Sequence, residues 1–237
     1  MTVRPRPTWS GRETVAWALL GALALALAWL LLPESSPIWL FPAVLVMLAA
    51  RASRQQLLVA WLLLLLGGLP LLVLGGGGRG VMMAACLGLD LAVTLVVLRY
   101  LLSRGNALLV ALGAACLRVT LELLWSHTPV GEALTWGLFV VELAPLAEVM
   151  DFGGASAGSA VVVLVSSGLG LLLADHERPY ALRTVALNLG LLALLLGIGL
   201  DRIERPGGTP VRVAAIGAPG QEVRRLVALT ERAAAAS

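Results

Sequence analysis

The chain has 237 residues, 59% of them hydrophobic and only 13% charged, with a formal net charge of +3. Soluble domains carry about 25% charged residues, so a water-soluble globule is excluded. The small, scattered positive balance offers no basic patch for nucleic acid.

The basic segment from Met1 to Glu13 leads into a first apolar run, about Thr14 to Leu32. Pro33-Glu34-Ser35-Ser36-Pro37 reads as a turn between two retained spans rather than as a small-residue cleavage site. The second run, about Ile38 to Ala50, is short and holds Pro42, which predicts a kink or an incomplete crossing. The third, about Leu57 to Leu74, closes on Gly75-Gly76-Gly77-Gly78, a flexible connection. No Lys and Ser/Thr follow those glycines, as a phosphate loop would require. The fourth run is about Val81 to Leu102 and the fifth about Ala107 to Trp125.

From His127 to Ala155 the pattern breaks. Glu132, Glu142, Glu148 and Asp151 interrupt the apolar stretches together with Pro129 and Pro145, which places this segment at the membrane interface, partly re-entrant. The sixth run, about Ser156 to Ala174, is rich in Gly and Ser and suited to close helix packing. The seventh is about Tyr180 to Leu200. Several runs approach or pass the roughly 20 residues that cross a bilayer as a helix. Helices satisfy their own backbone in lipid, and solid Leu, Ala, Val and Gly lack the alternation of a membrane barrel. The expected fold is an all-α polytopic membrane domain of about seven transmembrane helices over residues 1–205.

Residues 206–237 differ in character. Pro206 to Pro210 is a linker, Val211 to Ile216 reads as a strand, Gly217 to Gly220 as a turn and Gln221 to Ala236 as a helix. One strand and one helix cannot bury a core, so this short βα tail reads as the incomplete start of a domain. Arginines govern orientation. Arg4, Arg6, Arg12, Arg51, Arg54, Arg99, Arg104, Arg178 and Arg183 fall on the N-terminal side of the bilayer, whereas the short loops opposite hold only Arg79. The expectation is a cytoplasmic N-terminus and an extracytoplasmic C-terminus. The arginines of the tail argue against it, but longer translocated segments obey the rule weakly.

Charges inside apolar runs are costly and usually paired, which singles out Asp90, Arg118 and Glu122. Arg118 and Glu122 are one helical turn apart and share a face. Asp90 and Arg118 lie about 13 Å and 10 Å below the outer ends of their runs at 1.5 Å per residue, so the two are expected to meet. The group reads either as mutual neutralisation that fixes helix packing or as a polar floor beneath a lipid headgroup, with Trp136 and Glu148 as further candidates. A proton or ion path is the remaining alternative. Cys86 and Cys116 read as small buried hydrophobes. His127 and His176 fall on opposite sides of the bilayer and cannot share a metal. No cofactor or metal is expected.

The order of these features resembles the bacterial apolipoprotein N-acyltransferases. The resemblance is carried by Pro37-Ile38-Trp39-Leu40-Phe41-Pro42, by Glu122, by Leu143 to Gly154 leading into the sixth run, and by Val211 to Ile216 with Leu229-Thr230. It implies a membrane region in the inner membrane followed by a nitrilase-like domain on the outer face, with acyl transfer from a phospholipid to a lipoprotein's N-terminal cysteine. The implied partners are membrane phospholipid, the lipoprotein N-terminus and a nitrilase-like domain, here encoded separately or missing. The chain departs from the family: Glu122 is followed by Leu123-Leu124-Trp125 without the usual Arg, only Trp136-Gly137 stands near the expected Phe-Pro-Trp, and Ile216 runs into Gly217-Ala218. The family's catalytic Glu, Lys and Cys lie beyond this chain, and because it contains no Lys no such triad can be assembled from it. The implied role is a membrane domain inactive alone, the alternatives being a non-catalytic interaction protein or a small transporter. No internal repeat favours the transporter.

Overall fold

The computed structural model describes residues 9–30, 36–104, 106–128, 134–136, 143–150, 154–175 and 178–204. All but Glu204 belong to one unit, Met1–Ile203. The predicted βα tail lies outside the described residues, as do Glu132, Glu142, Asp151 and His176.

The regular structure among the described residues is helical: α1 (Gly11–Leu30), α2 (Leu40–Arg51), α3 (Arg54–Leu65), α4 (Leu69–Gly75), α5 (Gly77–Arg104), α6 (Ala107–Ser126), α7 (Ala144–Met150), α8 (Gly154–Leu173) and α9 (Arg178–Glu204). Short 3₁₀ turns cover Ser36–Trp39 and Leu66–Gly68. Six segments among them are long and apolar enough to cross a membrane: α1, α3 with α4 (Arg54–Gly75), α5, α6, α8 and Arg178–Ile203 of α9. The apolar stretch Pro37–Arg51 is shorter.

Helix starts are set by caps. Ser10 and Glu13 exchange bonds at the head of α1, with Glu13 Oε2 accepting from the Ser10 amide at 2.8 Å. Ser53 and Gln56 form a capping box on α3, and Asn106 Oδ1 accepts from the Leu109 amide at 2.9 Å on α6. Each cap satisfies amides that an exposed helix end leaves orphaned. They start α1 and α3 three residues before the apolar runs at Thr14 and Leu57.

α2 is the central helix. Every residue from Phe41 to Ala49 is buried, and it packs on α1, α5 and α8. A helix apolar all round belongs inside, which is why this short run need not be as long as its neighbours. The expected kink at Pro42 is not needed. Pro42 stands in the first turn of α2, where its missing N–H breaks no intrahelical bond. The break falls instead in the third run. Pro70 cannot donate to the Leu66 carbonyl, the Leu69 amide takes that carbonyl in 3₁₀ fashion, and α3 gives way to α4. The expected flexible connection is a tight turn at Gly76 and Gly77, whose φ values of 60° and 43° suit glycine, and α5 begins at once.

Contacts collect at two ends. At one, the Trp9 amide bonds the Arg51 carbonyl, Gln56 Nε2 the Trp9 carbonyl, Arg51 Nε the Ala174 carbonyl and an Arg99 guanidinium N–H the Ala52 carbonyl. At the other, Arg202 donates to the Glu148 carbonyl at 3.0 Å. Among the described residues the helices run back and forth between these ends as the six long apolar segments and the shorter Ser36–Arg51. α9 buries Ala181, Thr184 and Asn188, and Asn188 Nδ2 donates to the Leu164 carbonyl of α8. Its outward face carries exposed Leu187, Leu191, Leu194 and Ile198, a continuous apolar surface that water would penalise.

Candidate functional site

The candidate residues Asp90, Arg118, Glu122 and Trp136 come together; Glu148 does not. Arg118 sits eight residues before the end of α6, about 12 Å from it at 1.5 Å per residue. Asp90 is thirteen residues into α5, about 20 Å by the same rise, because α5 starts earlier than its apolar run. The two still meet: an Arg118 Nη1–Asp90 Oδ2 ion pair closes at 2.7 Å. Arg118 Nε reaches Glu122 Oε1 at 3.1 Å one turn along the same helix, and Nη2 donates to the Leu134 carbonyl at 3.3 Å. The guanidinium lies 4.4 Å from the centre of the Trp136 ring, a cation–π contact. Phe41 of α2 meets that indole edge-on at 5.3 Å.

The carboxylates are held from several sides. Trp125 Nε1 donates to Asp90 Oδ1 at 3.1 Å, so both oxygens of Asp90 are engaged. Glu122 Oε1 also accepts from the Trp136 amide at 2.9 Å. Ser156 and Ser159 of α8 present hydroxyls to the same carboxylate, although its Oε2 has no hydrogen bond of good geometry. Asp90, Arg118 and Glu122 are exposed by only 1%, 3% and 2%, so they lie within the helix packing and do not face lipid.

Beneath the cluster is a cavity of about 20 Å³, lined by Pro42, Leu45, Thr94, Arg118, Trp136 and Ser167 among others. It is large enough for about one water. Set against protein-family models, curated proteins and solved structures, the chain matches none.

Chemically, the arrangement is a clamp. It ties α5 to α6 and both to the backbone of residues 134–136, and it presents no reacting group to an open cleft. Glu148, on α7, is half-exposed and 3.9 Å from Arg202 of α9, a pair at the periphery where such pairs contribute little. Cys86 is half-buried and Cys116 exposed, neither in a disulfide; Cys116 thus departs from the expected buried position. His127 is exposed, its Nδ1 2.7 Å from the Leu123 carbonyl, at the end of α6. Among the described residues no group of His, Cys, Asp and Glu could hold a metal ion. Trp125, Ser156 and Ser159 were not among the candidates. An indole one helical turn beyond Glu122 and serines opening the sixth run were the available signals.

Proposed function

We propose that this chain is the membrane-embedded portion of an acyltransferase of the apolipoprotein N-acyltransferase kind, without catalytic residues of its own. It sits in the bacterial inner membrane with its N-terminus cytoplasmic and its C-terminus outside, crossing seven times. It holds phospholipid and positions a nitrilase-like domain, fused or separately supplied, against the lipoprotein N-terminus. The resemblance of the segments around Pro37–Pro42, Glu122 and Leu143–Gly154 supports this reading.

The observation that carries it is the sealed charge cluster under residues 134–136. Its charges bond one another and the loop backbone, as a rigid polar floor requires. The acyl-transfer chemistry needs an activated thiolate and a preorganised positive charge at the oxyanion. Arg118 is committed to Asp90 and Glu122.

The test is expression in a strain depleted of its own N-acyltransferase, following growth and the mass of a lipoprotein's N-terminal peptide. The expected result is no third acyl chain from this chain alone, and its appearance once a nitrilase-like domain is supplied, fused or in trans. A third acyl chain without that domain would overturn the non-catalytic role. No rescue with it would favour a free-standing interaction protein.

A further inference from the structure

We infer that the cleft between α3 and α5 is a binding site for one anionic phospholipid, its phosphate on Arg54 and Arg99 and an acyl chain along Trp61. The cleft has a volume of about 580 Å³ and is lined by Arg54, Leu57, Leu58, Trp61, Ala92, Leu95, Val96 and Arg99. That is within the roughly 300–1,000 Å³ of ligand pockets. Its shape has a cause. Trp61 Nε1 donates to the Gly88 carbonyl at 2.8 Å, so the indole bridges α3 and α5 and closes one end of the cleft. The small Ala92 leaves room next to it.

Charge is confined to the other end. Arg54 to Trp61 and Arg99 to Ala92 each span seven residues, about 10 Å at 1.5 Å per residue. Both arginines therefore stand about two helical turns from the apolar end, the distance from a headgroup phosphate to the upper part of an acyl chain. They lie at the end of the molecule where Arg99 bonds the Ala52 carbonyl at 2.6 Å. Neither makes an ion pair among the described residues, and no carboxylate lines the cleft. Two cations without a counter-charge among the described residues suit a phosphate. With no acid to receive a choline or ethanolamine ammonium, the cleft favours a headgroup of net negative charge. The inference needs the chain to lie in a bilayer, but it does not depend on the acyltransferase reading.

The experiment is native mass spectrometry of the full chain, equilibrated in micelles with equal amounts of phosphatidylglycerol and phosphatidylcholine of identical acyl chains. Each arginine near a membrane surface is worth about fivefold for an anionic lipid, so a preference for phosphatidylglycerol of at least that size is expected. Arg54→Gln should lower it by about fivefold. Val96→Trp, at an exposed wall position, should fill the cleft and abolish it; Leu58→Trp from the opposite wall serves if that variant does not fold. Leu189→Trp on the exposed face of α9 should change nothing. Equal retention of the two lipids would overturn the inference. So would loss in Arg54→Gln with no effect of either wall variant, which would mean that the arginines attract lipid only as surface charge.

Discussion

At the scale of residues, Arg118 decides more than any other side chain. It bonds two carboxylates and a backbone carbonyl and lies over Trp136. Breaking a buried pair by removing one partner typically costs about 3–5 kcal/mol. Arg118→Met is expected to destabilise the protein by that order, read as a lowered Tm in detergent, because Asp90 and Glu122 lose their counter-charge. Adding Asp90→Leu should restore part of the loss. Glu122→Gln should be much milder, since the amide oxygen still accepts from Arg118 and the Trp136 amide. Equal losses for Arg118→Met and Glu122→Gln would show that the cluster is not organised around the guanidinium. The Asp90–Arg118 pairing was expected because opposite charges in consecutive apolar runs demand partners, although the counted depth of Asp90 shifts once α5 starts at Gly77. Trp136 was a candidate without a partner: only the path of the chain after α6 brings its ring over Arg118.

At the scale of elements, close approach to α2 sets the packing of α8. A Cβ on Gly170 would lie 2.6 Å from the Ala43 carbonyl oxygen and 3.0 Å from the Ala43 Cα. Backbone cannot yield as a side-chain tip can, so Gly170→Val must push α8 away from α2. Overpacking of this kind costs about 1–3 kcal/mol, and a lowered Tm in detergent is expected. Gly190→Val on α9, where nothing stands within 4 Å of the added Cβ, is the control and should be near neutral. Helix starts were partly legible. Ser10-x-x-Glu13 and Ser53-x-x-Gln56 are capping-box patterns, and they begin α1 and α3 ahead of the boundaries that hydropathy marks. The division of the third run at Leu66–Gly68 depends on Pro70 and on how near Gly67 stands to α1, where its Cβ would meet the Ala22 carbonyl at 2.7 Å.

At the scale of the whole molecule, several arginines gather at one end. Arg51, Arg54 and Arg99 belong to the end that also holds Trp9, Ala52 and Ala174, the end that the proposed orientation makes cytoplasmic. Alkaline phosphatase fused after Gly76 or after Ser237 is expected to be active, and a fluorescent protein at those points dark. Fused after Arg104, the two reporters should reverse. An active phosphatase after Arg104 would overturn the orientation. A mismatch at Ser237 alone would mean that the short stroke Ser36–Arg51 or α9 does not cross.

The amino-acid sequence by itself determined the helical class of structure and the approximate positions of the long apolar helices. Long apolar runs with few charges have no soluble solution, and backbone hydrogen bonding in lipid leaves helices as the economical one. It also marked Asp90, Arg118 and Glu122, because a charge in an apolar run demands a partner. Tertiary structure alone decided that α2 lies in the middle, that the charge cluster is sealed against residues 134–136, and that two arginines head an apolar cleft between α3 and α5. The physical reason is that one face of an apolar helix looks much like another in sequence. Which face meets protein and which meets lipid is chosen by the fit of small residues, caps and aromatic rings contributed by other helices.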